Sequence, residues 1–381
     1  MKLFHIADLH LGKKLSGENL IEDQNHILKE ILKSIEKEKP QGILITGDIY
    51  DTGIPTTEAV TLLDRFLEAL VKLQVEVFII SGNHDSPERL EFANGILENS
   101  RIHITGTFRG KLKNYTLKDE FGSVCFYMLP FIKPAMLRPY CEKEPETYEH
   151  AVKQALETVS IDKRIRNVLL AHQYITYKGE NPVTSDSEQK SLGGIDEVDA
   201  SCFDDFDYVA LGHIHRPQKI KRLEVRYAGS PLKYSFSEIN HKKAITVIEL
   251  AEKAAISIRK IPLTPLRDLA ILTDTMNELL SEKYKKYEEG YYLSIVLTDE
   301  EPIENPLEKL RARFPGVLEF AVENKRTRQH KSGQIGVDDL ALKTPQALFE
   351  EFYQRQNNVE VSAEEKKILE KIFVKLGEEP L

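Results

Sequence analysis

Five short segments carry acid, imidazole and amide side chains together: Asp8-Leu9-His10, Gly47-Asp48, Gly82-Asn83-His84-Asp85, Ala171-His172 and Gly212-His213-Ile214-His215. Carboxylate, neutral imidazole and side-chain carbonyl are jointly suited to Mn²⁺, Fe²⁺ or Zn²⁺. The set holds donors enough for two ions. Two cations about 3.5–4 Å apart repel one another and need an anion between them. Asp48 is the natural bridge, because Gly47 permits close backbone approach and the apolar run Gly42 to Ile45 anchors it. Singly, each segment has a plainer reading as a cap, a turn or a core histidine. Their joint order, each after an apolar run, is what points to a metal centre.

Such groups need rigid elements behind them. Leu3 to Ala7, Gly42 to Thr46 and Val75 to Ser81 read as buried strands. Between them, Ile21 to Glu38 and Thr56 to Leu73 space Ile27, Ile31 and Ile35, then Leu63, Phe66, Leu67 and Leu70, at helical intervals, as crossover helices do. Val124 to Leu129, Asn167 to Ala171, Tyr208 to Leu211, Val225 to Ala228 and Ala244 to Glu249 supply further strands for a mixed, two-sheet core. The candidate ligands thus follow strands, where α/β sheets collect ligands.

Pro262 and Pro265 bracket a break that ends this first domain, placed at 1–265. A βαβ-like unit over 266–335 follows: strand Tyr291 to Thr298, a helix opened by Asn305 and Pro306 and running through Phe314, then strand Val317 to Glu323. Residues 340–381 read as a helical pair. Thr344 and Pro345 open the first helix, with Leu348, Phe349, Phe352 and Tyr353 on one side, and Asn357 with Asn358 interrupts it. Ser362 and Glu365 form a capping box for the second, whose stripe is Ile368, Leu369, Ile372, Phe373 and Leu376 before a C-terminal Gly377. This pair either packs on the protein's own body or docks a partner helix or coiled coil.

The 381-residue chain is 41% hydrophobic and 30% charged, which excludes disorder as the default reading. Its three cysteines, Cys125, Cys141 and Cys202, lack a CxxC pair and fit neither a disulfide framework nor a thiolate zinc site. No apolar run spans a bilayer and no secretory signal opens the chain, so a cytosolic (cytoplasmic) protein is expected. A net charge of -9 argues against bulk electrostatic capture of nucleic acid. Any DNA contact must be local or shared, with Arg216, Lys219, Lys221 and Arg222, then Lys325, Arg326, Arg328 and Lys331, as the basic clusters. No G-x-x-x-x-G-K-[ST] loop and no Ser or Cys nucleophile arrangement is present.

In this order the motifs resemble those of the calcineurin-like metallophosphoesterases, over about Met1 to Pro262. That resemblance implies an α/β fold, a four-layer αββα sandwich, with Asp8, His10, Asp48 and His215 around one metal and Asp48, Asn83, His172 and His213 around the other. His84 would not be a ligand. It would instead orient the scissile phosphate and protonate the leaving oxygen, with Asp85 available to fix its tautomer. Hydrolysis would follow from water activated between two cations.

Gly47-Asp48-Ile49-Tyr50-Asp51-Thr52-Gly53, Gly82-Asn83-His84-Asp85-Ser86, Tyr227-Ala228-Gly229-Ser230-Pro231 and Ser235-Phe236-Ser237-Glu238 are further similar to the SbcD family of bacterial nuclease subunits. This implies a metal-dependent nuclease, typically with Mn²⁺, cutting duplex ends exonucleolytically and opening single strands and hairpins in DNA repair and recombination. It also implies a homodimer, a capping domain over 266–335 that shapes the DNA path, and a tail over 340–381 that binds an SbcC-type ATPase subunit. Archaeal and eukaryotic relatives carry His where Asp51 stands, so no role is transferred to Asp51. The alternatives are a metallophosphoesterase acting on nucleotides or phosphoproteins, and a scaffold with a vestigial site.

Overall fold

The structure is a computed structural model describing residues 1–188 and 195–324, with 349, 350, 353, 354, 361, 362, 365–369 and 372 beyond them. It divides into two compact units, Met1–Ala270 and Ile271–Leu381. The division falls inside the strand Asp268–Asp274, a few residues beyond the strand-free stretch that holds Pro265.

In the first unit the early apolar runs become the strands Lys2–Ile6, Gly42–Thr46 and Glu76–Ile80. They pair in parallel, as strands joined by crossover helices must. The helices are Ile21–Glu38 and Thr57–Lys72. Thr56 caps the second by accepting from the Ala59 N–H at 3.3 Å. Each buries one stripe, Ile27, Ile31 and Ile35 or Leu63, Phe66 and Leu70. The whole sheet runs in the order Ile256–Pro262, Ala244–Leu250, Lys2–Ile6, Gly42–Thr46, Glu76–Ile80 and Ile102–Thr105.

A second sheet runs Gln218–Ile220, Arg222–Tyr227, Tyr208–Gly212, Arg166–His172, Gly122–Leu129 and Lys113–Asp119. Its four inner strands are parallel, with an antiparallel strand at each edge. Val168 and Leu170 face the first sheet, where Leu3, Leu44, Phe78 and Ile80 meet Phe126, Met128 and Tyr208 in one buried cluster. Phe78 and Phe126 stack there with ring centroids 4.3 Å apart. Leu169 and Ala171 face outward, as the period of two requires. They pack with Ala151, Val152 and Ala155 of the helix Tyr148–Glu157. The result is the expected four-layer αββα sandwich.

The second unit is built on the sheet Asp268–Asp274, Tyr291–Leu297 and Val317–Val322. The last two strands pair in parallel and are joined by the helix Pro306–Arg313, which buries Leu310. Asn305 does not cap this helix as expected: it stands at φ 48°, ψ 51° with no side-chain cap bond, and Pro306 alone starts the turn. In the tail, Ser362 and Glu365 do form the capping box, the Ser362 N–H donating to Glu365 Oε2 at 2.8 Å and the Glu365 N–H to Ser362 Oγ at 3.3 Å. Thr344, Pro345, Leu348, Phe352, Asn357, Asn358, Phe373, Leu376 and Gly377 lie outside the described residues, as do Lys325, Arg326, Arg328 and Lys331. Among the described residues no helix is long and apolar enough to cross a membrane.

Candidate metal centre

The ligand-bearing segments all leave the carboxyl ends of parallel strands. Asp8 and His10 follow Lys2–Ile6, Asp48 follows Gly42–Thr46, and Asn83 follows Glu76–Ile80. His172 closes its own strand in register with Gly212, and His213 comes next. The backbone leaves its ordinary regions here: φ is positive at Asp8 (53°), His10 (43°), Asp48 (47°) and His213 (105°). Such strain persists only where the surroundings over-determine it, and it clusters at functional sites. Glycine is obligatory at positions 47 and 82, among others. A Cβ on Gly82 would lie 2.1 Å from Asp48 Oδ1, and one on Gly47 (φ +84°) would lie 2.1 Å from His172 Nδ1.

Asp48 stands at the middle of the cluster. Its Oδ1 accepts the His84 main-chain N–H at 2.9 Å. Its Oδ2 is 3.6 Å from His10 Nε2 and 3.4 Å from His172 Nε2. On one side, His10 Nε2 and His215 Nε2 are 3.1 Å apart. On the other, Asn83 Oδ1 is 2.9 Å from His213 Nδ1 and 3.1 Å from His172 Nε2. Asp8 Oδ1 accepts the His213 N–H at 2.8 Å, and His172 Nδ1 donates to the Thr46 carbonyl at 2.8 Å, tying one sheet to the other.

The sequence-derived residues Asp8, His10, Asp48, Asn83, His172, His213 and His215 are therefore brought together. Candidate ligand atoms of His10, Asp48 and His84 lie within 4.8 Å of one another, and so do those of Asp48, His172 and His213. Asp48 belongs to both groups. His84, expected beside the ligands, is near enough to stand among the first group.

The donor chemistry fits divalent cations. Asp8 is fully buried, and its Oδ2 has no hydrogen-bond partner, a costly arrangement for a carboxylate unless a cation compensates it. Burial pushes the Asp8 carboxyl up to about 8. Burial also pulls His213 and His215 down to about 3, keeping both imidazoles neutral, as ligation requires. At His172 burial works downward, but the Asp48 carboxylate outweighs it and lifts the group to about 9. A cation between them would displace that proton.

Asp85 departs from expectation. Its carboxylate accepts the main-chain N–H groups of Gly82 (2.8 Å), Tyr50 (2.9 Å) and Ile49 (3.1 Å), pinning the loop that carries Asp48. Both carboxylate oxygens are thus engaged by the backbone. The His84 ring instead donates from Nδ1 to the Asp51 carbonyl at 2.9 Å.

Sequence reasoning missed several neighbours. Asp51 Oδ1 lies 3.3 Å from His10 Nδ1 and 2.7 Å from Lys13 Nζ. Ser187, Glu188, Glu238 and Lys243 surround His215; of these only Glu238 sits in a segment the sequence singled out. Beside Asn83 and His213 a cavity of about 200 Å³ is walled by Phe131, Tyr148 and Tyr174, with Lys133 at its edge. Of the first basic cluster, Lys221 is paired with Asp204 at 2.5 Å and Arg222 lies 3.5 Å from Glu224, whereas Arg216 and Lys219 are exposed.

Comparison with known proteins agrees with this geometry. Residues 1–217 match the calcineurin-like phosphoesterase family, and residues 265–357 match the type 5 capsule protein repressor C-terminal domain. The SbcD subunit of the nuclease SbcCD of Staphylococcus epidermidis is 35% identical over 367 residues, 95% of each chain. A dimetal phosphatase from Danio rerio aligns over 69% of this chain and 98% of its own, at 13% identity and a TM-score of 0.40, too slight a likeness to bear on function. By both the family match and the extent of its identity to that relative, the chain belongs to the calcineurin-like phosphoesterases and, within them, to the SbcD family.

Proposed function

We propose that the chain is the nuclease subunit of an SbcCD-type complex, a DNA phosphodiester hydrolase working on two divalent cations that share Asp48. The observation that carries this reading is the pair of donor groups meeting at one buried carboxylate. Asp8, His10, Asp48 and His215 would hold one ion; Asp48, Asn83, His172 and His213 would hold the other. The absence of thiolates and the mixture of oxygen and imidazole donors suit Mn²⁺, Fe²⁺ or Zn²⁺, and the resemblance to the SbcD family favours Mn²⁺ among them. When bound, such a pair supplies Lewis-acid stabilisation of phosphoryl oxygens and a water of lowered pKa.

The side chains do the rest. Asp48 is oriented by the His84 N–H, and His172 is fixed by the Thr46 carbonyl. With Nδ1 donated to the Asp51 carbonyl, His84 leaves Nε2 to face substrate, and as the doubly protonated imidazolium it would pass the Nε2 proton to the departing oxygen. Its ring stands edge-on to that of His10, with ring centroids 4.9 Å apart, which keeps it beside the donor group. Asp85 serves by fixing the Asp48 loop, not by touching His84.

DNA is favoured as substrate by the 35% identity to a nuclease subunit over 95% of the chain. Arg216, exposed next to His215, is the nearest candidate of the basic cluster for a phosphate contact. The unit near 266–335 would shape the DNA path. Residues 340–381 would dock an SbcC-type ATPase, and the exposed Ile368 and Ile372 are consistent with a stripe awaiting a partner. Exonuclease work on duplex ends, endonuclease work on hairpins and assembly as a dimer complete the reading.

The test is incubation of purified protein with a DNA hairpin and a linear duplex, with Mn²⁺ or with chelator, beside Asp48→Ala. Metal-dependent cutting that disappears in the variant is expected. Turnover of a simple phosphodiester with no DNA cleavage, even after addition of an SbcC-type subunit, would contradict the substrate assignment.

A further inference from the structure

The segment Ser235-Phe236-Ser237-Glu238 is left without a task by the centre described above, yet its last residue is fully buried. Glu238 closes a short 3₁₀ turn, and its two carboxylate oxygens have different partners. Oε1 accepts from Ser187 Oγ at 2.6 Å and lies 3.4 Å from His215 Nδ1. Oε2 accepts from Lys243 Nζ at 2.5 Å and lies 3.5 Å from His241 Nδ1. Lys243, itself buried, also donates to Ser230 Oγ at 2.7 Å and to the His215 carbonyl at 2.9 Å.

Proton placement follows from these contacts. Ser187 Oγ lies 2.8 Å from His215 Nδ1. A hydroxyl has one hydrogen, and the carboxylate can only accept it. The Ser187 hydrogen therefore goes to Glu238, so its oxygen must accept from Nδ1–H of His215. That tautomer leaves the lone pair on Nε2, the atom 3.1 Å from His10 Nε2. The backbone of His215 is held as well, its N–H donating to Glu188 Oε1 at 2.6 Å and its carbonyl accepting from Lys243.

We infer that the buried Glu238–Lys243 pair is a positioning device, acting through Ser187 to fix His215 as the Nδ1–H tautomer with Nε2 aimed at the metal position. The inference rests on the reading of His215 as a ligand. A role in stability alone is the weaker explanation, because replacing a buried ion pair by well-packed apolar residues is often neutral or stabilising. Outer partners that orient a ligating histidine typically contribute about 10–100-fold in metal affinity.

The test uses the full chain in two variants, Glu238→Gln and Glu238→Gln with Lys243→Met, the second leaving no buried ammonium unpaired should the first fail to fold. Long-range ¹H–¹⁵N correlation of the imidazoles in metal-free protein reads the tautomer. Mn²⁺ titration followed by electron paramagnetic resonance reads affinity, beside a His215→Ala control. The expected result is a folded variant in which His215 shows mixed tautomers and one Mn²⁺ is held about 10–100-fold more weakly. A single Nδ1–H tautomer with wild-type affinity in a folded Glu238 variant would overturn the inference while leaving the ligand reading intact. Unchanged Mn²⁺ binding in His215→Ala would overturn both.

Discussion

The space between the two sheets and the carboxyl edge of those same sheets are built on opposite terms. Between the sheets, Leu44, Phe78, Phe126 and Leu170 are wholly buried apolar side chains on regular strands. At the edge, immediately beyond the same strands, Asp8, Asp48, His172 and His215 are almost as deeply buried, but they are polar and partly on left-handed backbone. One region gains stability from burial. The other spends part of it on desolvated charge and strain that make sense only for a cation. The lower region is thus the rigid floor that lets the upper one stay strained.

If this contrast is right, substitutions should separate the two regions. The largest expected effect is on Asp48→Ala, which removes the carboxylate common to both donor groups. DNA cleavage should vanish and metal affinity should fall by more than the roughly 10–100-fold typical of losing an outer partner, as read by Mn²⁺ titration. Next is His84→Ala. Cleavage should drop by about 10²–10⁴, the usual contribution of a positioned acid or base, while Mn²⁺ and DNA binding persist; loss of Mn²⁺ in this variant would make His84 a ligand instead.

Phe126→Ala tests the floor. Deleting half of the Phe78–Phe126 stack should cost about 3–5 kcal/mol in denaturant unfolding, with the metal affinity of the remaining folded protein unchanged. The smallest effect is expected from Arg216→Ala at the rim. DNA affinity should weaken uniformly across sequences, and the slope of log affinity against log salt should shrink by about one; an unchanged slope would remove Arg216 from the DNA path.

The same contrast explains what could be read in the sequence. Strands such as Gly42–Thr46 and Tyr208–Gly212 are buried on both faces, so their apolar runs are continuous and each announces the chemistry that follows it. Asp8, His10, Asp48, Asn83, His172, His213 and His215 were legible for that reason. Lys113–Asp119 and Ile256–Pro262 were not, because antiparallel edge strands alternate charged and half-buried residues. Contacts made across the fold were equally hidden. Nothing near Lys243 in sequence indicates that it meets the His215 carbonyl, and local spacing pairs Asp85 with His84 whereas its carboxylate binds three backbone donors. Asn305 looked like a cap, but its left-handed backbone turns the side chain out of that role.

The central claim, two cations sharing Asp48, is tested most directly by anomalous diffraction from crystals of the full chain soaked in Mn²⁺. The result expected is two peaks about 3.5–4 Å apart with the Asp48 carboxylate between them, one beside His10 and His215 and the other beside Asn83, His172 and His213. A single peak, or two peaks that do not share Asp48, would contradict it.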